Sequence, residues 1–324
     1  MAITRDKLRV IAIEEHYYDR ELAALFTGLD GKTGGKLREK LEDLGELRLK
    51  EMDEAGVDVQ VLSHGAPATQ KLDGATAVRV ARAVNDRLHQ TCKARPDRFA
   101  AFAVLPTADP RAAADELART VNELGFKGAM IHGLTGGEHF IDDARFWPIF
   151  ERAQQLDVPL YLHPAIPHPA VIDTYLKPYH ERFPGLLNAG WGFTIETATA
   201  GIRMVLSGVF EKYPNLKIIL GHLGETLPYL LWRIDHALSR PGNAPVAFRD
   251  TFSRHFYVTT SGFFSDPAML CCIQELGIDR ILFAIDWPFV DSSKLGTQWM
   301  ERIMLSAEDK AKVLHGNAAR LLRM

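Results

Sequence analysis

Eight short apolar or β-branched runs punctuate the chain, and no other feature limits its fold as tightly. They are VIAIEE from Val10, VDVQVLSH from Val57, FAAFAVLP from Phe99, GAMIHG from Gly128, VPLYLHP from Val158, LKIILGHLG from Leu216, FYVTTSG from Phe256 and RILFAIDWP from Arg280. Each has strand length and is nearly continuous in its apolar character. Strands buried on both faces read this way, which implies parallel strands covered by helices. Amphipathic stretches fill the intervals. ATAVRVARAVNDRLHQTCKA from Ala75 and PRAAADELARTVNELG from Pro110 space their apolar residues three and four apart, and Gly125 is suited to close the second helix. Strand and helix repeated eight times without a shift in composition predict an α/β fold, a single (β/α)8 TIM barrel forming one domain over 1–324. A doubly wound open sheet is the rival topology. No GxGxxG follows the first run and no GxxxxGK(S/T) occurs, so nucleotide binding has no support.

At 324 residues the chain exceeds the roughly 250 of a minimal barrel. The excess falls largely in two insertions, one after the first strand from Tyr17 to about Leu44, the other after the fifth from Ala165 to about Phe193. Long loops in compact domains are often lids or binding loops. The second carries Tyr175, Tyr179, His180, Phe183 and Trp191, enough aromatic surface to roof a pocket or to meet another subunit. A homodimer or homotetramer is the expected assembly. With 38 Lys and Arg against 41 Asp and Glu, a formal charge of −3 and no basic run, the chain has no electrostatic footprint for nucleic acid. MAITRDKLRV lacks the apolar stretch of a signal peptide and no segment approaches membrane-span length, so a cytoplasmic protein with no membrane partner is expected. Cys92, Cys271 and Cys272 form neither a disulfide framework nor a spaced metal motif, and read as structural thiols.

Barrel chemistry sits where strands end at their C-terminal side. There the first run delivers Glu14, Glu15 and His16, the second His64, the fourth His132, the fifth His163, the sixth His222 with Glu225, and the eighth Asp286. Strand side chains alternate, so Glu14 and His16 share a face while Glu15 points away. Adding His163 and Asp286 gives two nitrogens and two carboxylates, a set suited to one Zn²⁺ or Mn²⁺ ion with positions left for water or substrate. His222 beside such a site is a candidate acid/base, with Glu225 fixing its tautomer and charge. Arg233, in the following helix, is a candidate clamp for a substrate carboxylate. A second metal would want a modified lysine ending the fourth strand. Met130, Ile131 and His132 stand there, and Lys127 precedes the strand, so one metal is expected, with His132 and Trp191 as pocket candidates.

EEH after the first strand, YLHP at the fifth, ETATAGIRMVLSGVFEKYPNLKIILGHLGETLPYLLWRIDH through the sixth and RILFAIDWPF at the eighth resemble the metal-dependent decarboxylases of the amidohydrolase superfamily, most nearly the γ-resorcylate and related hydroxybenzoate decarboxylases. RLKEMDEAGVDVQVLS and RPDRFAAFAVLP extend the resemblance over most of the chain. ExH fits these enzymes better than the HxH of their aminocarboxymuconate-semialdehyde relatives. The resemblance implies Glu14, His16, His163 and Asp286 as metal ligands and His222 with Glu225 as the supporting pair. Its implied substrate is a small 2-hydroxybenzoate held through phenolic and carboxylate oxygens. Asp286, assisted by His222 and Glu225, would protonate the ring carbon before CO2 leaves, with no organic cofactor. Ala165 after YLHP, where relatives often carry Arg, and His132, where a small amide is familiar, are departures that bear on the substrate. A lactonase-type hydrolase on the same ligands is the rival activity. A metal-holding assembly subunit is the rival outside catalysis, and it predicts that the acid/base groups are missing.

Overall fold

The apolar runs become parallel strands because only helices on one side and other strands on the other can cover them fully. The computed structural model describes residues 8–290 and 292–324. Met1–Lys7, part of the N-terminal segment read above, and Asp291 lie outside the described residues. The strands are β1 (Ile11–Tyr17), β2 (Val59–His64), β3 (Phe99–Ala101), β4 (Ala103–Val104), β5 (Ala129–His132), β6 (Leu160–His163), β7 (Ile218–Leu220), β8 (Phe256–Thr259) and β9 (Ile281–Leu282). All their pairings are parallel, in two arcs of order β1-β2-β3 and β4 through β9.

Two seams join the arcs into a ring of eight spokes. The third run breaks at Phe102, whose N–H donates to the Leu62 carbonyl while the next N–H, of Ala103, donates to Gly128, both at 2.9 Å. At the other seam the chain past β9 pairs with β1. Ile13 N–H donates to Phe283 C=O (3.1 Å), His16 N–H to Trp287 C=O (2.7 Å) and Asp286 N–H to Glu14 C=O (3.0 Å). The barrel expected from the sequence is therefore present, with its third strand in two pieces.

Inside the ring, Ile11, Ile13, Val59, Val61, Phe102, Met130, Tyr161, Ile219, Leu282 and Ala284 pack together over Ala318, Leu321 and Leu322 of the C-terminal helix Asn317–Leu322. Outward residues such as Leu62, Leu160, Leu220 and Val258 join Val80 and Val84 of helix Gly74–Ala94 and Leu117 of helix Pro110–Asn122 in the outer layer. The caps are those the sequence supplies. Asp73 and Asp109 accept the N–H groups of Thr76 and Ala112 at 3.1 Å. Gly125 takes φ +75°, which lets Phe126 N–H reach back to Thr120 C=O and end the helix.

β1 departs from a regular strand where it matters most. Its register against β2 runs Ile11 to Val59 and Ala12 to Gln60, then resumes at Glu15 to Leu62 and His16 to Ser63. Ile13 and Glu14 thus stand together opposite Val61, as in a β-bulge, and both turn inward. Past the bulge Glu15 faces outward and His16 inward.

The insertion after β1 folds into short helices, Arg20–Ala23 and Gly35–Glu42. The one after β6 forms short turns leading to helix Gly192–Leu206, with Tyr175, Tyr179, Phe183 and Trp191 all exposed. Among the described residues, no helix is long and apolar enough to cross a membrane.

His64 ends β2 on the outward side. Its ring stacks on Tyr18, Nε2 accepts the Asp19 N–H at 3.0 Å, and Nδ1 donates to Gly65 C=O at 2.8 Å. Burial holds its pKa down at about 4 against an ordinary 6.5. The unfolded chain therefore binds the proton first, and stability is lost as pH falls from 6.5 towards 4, by about 3 kcal/mol over the whole interval. His64→Gln keeps one acceptor and one donor without the titration. Urea midpoints measured from pH 7 to pH 4.5 should fall less steeply in this variant than in wild type, and parallel curves would refute the assignment.

Candidate metal centre

Period-two geometry beyond the bulge carries the polar residues to one place, the C-terminal mouth of the barrel. Glu14 and His16 from β1, His163 from β6 and Asp286 after β9 each offer one ligand atom, and these atoms lie within 4.8 Å of one another. Glu14 Oε1 is 3.3 Å from His163 Nε2 and 3.8 Å from His16 Nε2, and His16 Nε2 is 3.3 Å from Asp286 Oδ1.

What makes this a cradle for a cation is the state of the other atoms on the same side chains. Glu14 Oε2 accepts hydrogen bonds from the hydroxyls of Tyr161, Ser261 and Thr259. His16 Nδ1 meets Ser63 Oγ at 3.3 Å, and His163 Nδ1 meets Pro164 C=O at 2.7 Å. Glu14 Oε1 and His16 Nε2, by contrast, are buried without a hydrogen-bond partner. Buried polar atoms are seldom left so, and two facing each other across a carboxylate and two imidazoles fit a divalent ion with mixed N/O ligation. Gly221 makes the space, since a Cβ there would come within 3.1 Å of Glu14 Oε2 and 3.2 Å of the Tyr161 hydroxyl.

The charges fit as well. Burial would raise the Glu14 carboxyl, but the His222 charge and the close His16 and His163 imidazoles hold it well below the usual range. Asp286 is likewise lowered, its burial outweighed by the nearby His16 and His222 imidazoles. The same two carboxylates overcome the effect of burial on His16 and push it up to about 9, so a cation at this place would take over from a proton. Burial lowers His163, which favours the neutral form that ligates metals.

His222 and Glu225 lie between β7 and the next helix, in a stretch of unusual backbone. His222, Leu223, Gly224, Glu225 and Thr226 have φ values of +50°, +52°, +78°, +51° and +68°, one left-handed turn preceding helix Leu227–Leu238. Such backbone costs on the order of 1 kcal/mol per non-glycine residue. The turn is held by Ser261 Oγ accepting the His222 N–H, Gly221 C=O accepting the Gly224 N–H, and Cys272 Sγ donating to Leu223 C=O. In return it sets His222 Nδ1 2.7 Å from Glu225 Oε1, whose partner oxygen accepts from the Thr194 hydroxyl at 2.8 Å. Burial would lower His222, but the charges of Glu225 and Glu14 and the nearby Asp286 carboxylate raise it well above the ordinary value. Its Nε2 lies 3.7 Å from Asp286 Oδ2. These two side chains, 17% and 16% exposed, form the open side of the cluster, while Glu14 and His16 are fully buried.

The remaining candidates stand elsewhere. His132, the register partner of His163, is buried beside the cluster, its Nδ1 3.0 Å from His163 Nδ1. Trp191 is half exposed, and it is Phe193, two residues on, whose ring centroid lies 6.5 Å from that of His163. Arg233 is exposed on helix Leu227–Leu238, directed outward with Trp232 and Tyr229 on a face the amphipathic pattern did not bury. Lys127 Nζ donates to the Arg323 carbonyl, at the opposite end of β5 from the ligands. The sequence reading missed Tyr161, Thr259 and Ser261, and the Phe289 ring 5.5 Å from His16. Tyr161 and Ser261 could have been found, because each sits two residues from an inward position.

The model of the amidohydrolase family matches residues 17–324. The γ-resorcylate decarboxylase of Rhizobium sp. (strain MTP-10005) is 40% identical over 97% of this chain and 98% of its own length. A crystal structure of 2,6-dihydroxybenzoate decarboxylase complexed with 2,6-dihydroxybenzoate superposes with a TM-score of 0.87 at 39% identity, covering 98% of this chain and 99% of the other. The dihydroxybenzoic acid decarboxylase of Polaromonas sp. JS666, solved with manganese and the inhibitor 2-nitroresorcinol, gives 0.87 at 40% identity and 97% of each chain.

The left-handed turn makes a specific demand at its centre. A Cβ on Gly224 would meet Pro228 and Val258 at 2.9 Å and sit at φ +78°. Gly224→Ala should lose about 2 kcal/mol in urea unfolding, and an unchanged midpoint would count against the turn.

Proposed function

This chain belongs to the amidohydrolase family, and from that premise we propose that it is a metal-dependent carboxy-lyase that removes CO2 from a 2-hydroxybenzoate of the γ-resorcylate type, leaving a phenol. We read it as one barrel domain over 1–324, a cytoplasmic homodimer or homotetramer, with one Mn²⁺ or Zn²⁺ per subunit and no organic cofactor. The observation that carries the reading is the four-ligand cluster whose open side is lined by an acid/base pair, His222 and Asp286. Relatives named as decarboxylases over nearly the whole chain support it.

Glu14, His16, His163 and Asp286 would hold the metal. When bound, a divalent ion neutralises the carboxylate and phenolate oxygens of the substrate and fixes their orientation. The residues do the rest. Asp286 takes a proton from His222 and relays it to the ring carbon that carries the carboxylate. His222 gives that proton from Nε2, and Glu225, across 2.7 Å, keeps that imidazole charged. The carbon-carbon bond to the carboxylate then breaks, its electron pair restores the aromatic ring, and CO2 departs. Phe193 and Phe289 offer apolar edges beside His163 and His16 for the ring.

Metal-reconstituted protein should release CO2 from at least one member of a hydroxybenzoate panel, with Asp286→Asn reduced by about 10³-fold or more. Turnover of a lactone with no CO2 from any member of the panel would overturn the reading in favour of a hydrolase. Chelation should abolish turnover and added Mn²⁺ should restore it. Activity that survives exhaustive chelation would remove the metal from the mechanism.

A further inference from the structure

We infer that a buried brace of Arg48, Gln60 and Glu15 positions the two strands that carry three of the four metal ligands. Arg48 is fully buried in helix Glu46–Ala55, outside the ring. Its Nη2 donates to the carbonyl of His16, Nη1 to Gln60 Oε1 at 3.0 Å and Nε to the Asp43 carbonyl at 2.9 Å. The guanidinium lies 3.8 Å from the ring centroid of Trp287, and the Trp287 indole N–H donates to Glu51 at 2.6 Å. Gln60 Nε2 donates to Glu15 Oε2 at 3.2 Å, and Glu15 Oε1 accepts the Ile285 N–H at 2.9 Å.

The end points of these bonds give the brace its meaning. One is the backbone of His16, a candidate ligand, and another is Ile285, immediately before Asp286; the guanidinium also stacks on Trp287, immediately after it, while the Asp43 carbonyl anchors Arg48 itself. Glu14, His16 and Asp286 flank the seam between β1 and the segment after β9, and the brace spans that seam from behind. Buried ionic groups carry a desolvation cost, and apolar packing could hold two strands together equally well. Directional bonds to chosen backbone atoms fix where the strand ends lie, which apolar contacts do not. Lysine cannot replace Arg48, because one ammonium cannot serve three divergent acceptors and stack on the indole. Glutamine cannot replace Glu15 either. In Glu15→Gln the new amide oxygen accepts from Ile285, which leaves the new N–H2 group facing Gln60. Turning the Gln60 amide to accept from it would set that residue's own N–H2 against Arg48.

This inference rests on the metal-centre reading above, and the test separates the two. Metal-free wild type, Arg48→Lys and Glu15→Gln are titrated with Mn²⁺ while the free ion is followed by electron paramagnetic resonance. Asn85→Ala serves as control, since Asn85 belongs to another buried network, bonded to Val104 and Glu116 and to none of the candidate ligands. Outer hydrogen-bond partners of ligands typically change metal affinity 10- to 100-fold, so both brace variants should bind Mn²⁺ at least about 10-fold more weakly and regain most of their turnover at saturating Mn²⁺. Asn85→Ala should lose stability but keep wild-type affinity. Glu15→Gln is isosteric and keeps the question answerable if Arg48→Lys does not fold. Wild-type affinity in Glu15→Gln, or a loss as large in Asn85→Ala, would overturn the brace alone. A wild-type protein that binds no Mn²⁺ would overturn the metal centre and the brace with it.

Discussion

A carboxylate with no exposed surface, Glu14, sits at the centre of the barrel mouth, and the surrounding structure is arranged to make its burial tolerable. An isolated buried charge costs many kcal/mol unless it is paired or hydrogen-bonded. One oxygen is satisfied by three hydroxyls from β6 and the end of β8, and Gly221 leaves room for them. The other faces three imidazoles. Each of those imidazoles is turned by a bond to its remaining nitrogen, from Ser63, Pro164 or Glu225. The free atoms that converge are what the hydrogen bonds elsewhere leave over.

Glu14 reaches this position because β1 slips by one residue. In an unbroken strand the inward faces of Ile11 and Ile13 would be followed by Glu15, and Glu14 with His16 would point towards the helices. The bulge exchanges those faces at the level where packing gives way to chemistry. Hydrophobic filling below and polar ligation above thus coexist on one strand, and the outward Glu15 becomes available to the brace behind the site.

The barrel and the candidate ligand set were legible in the sequence for a shared reason: polar residues stand where continuous apolar runs come to an end. Continuous apolar runs gave the parallel sheet, and polar residues terminating them gave Glu14, His16, His163 and Asp286. The bulge was hidden, since a register shift leaves no mark in one strand's composition. The left-handed turn was hidden too, because LGET reads as an ordinary helix entry until Ser261, Cys272 and Thr194 are seen holding it. Trp191 and Arg233 lie on an inserted loop and a helix, where direction depends on packing that spacing does not encode. His132 was placed at the right strand end, level with His163, but its burial against that imidazole was not legible from spacing.

The four candidate ligands run from residue 14 to residue 286, and two of the three strands that present them are the first and the last. Contacts so distant in sequence form only after nearly the whole ring has assembled, because the intervening chain must be ordered before its ends can meet. A nascent polypeptide emerging from the ribosome accordingly holds Glu14, His16 and His163 well before the fourth ligand is made. The complete coordination sphere becomes available only when the final spoke docks, so metal capture reports the end of folding.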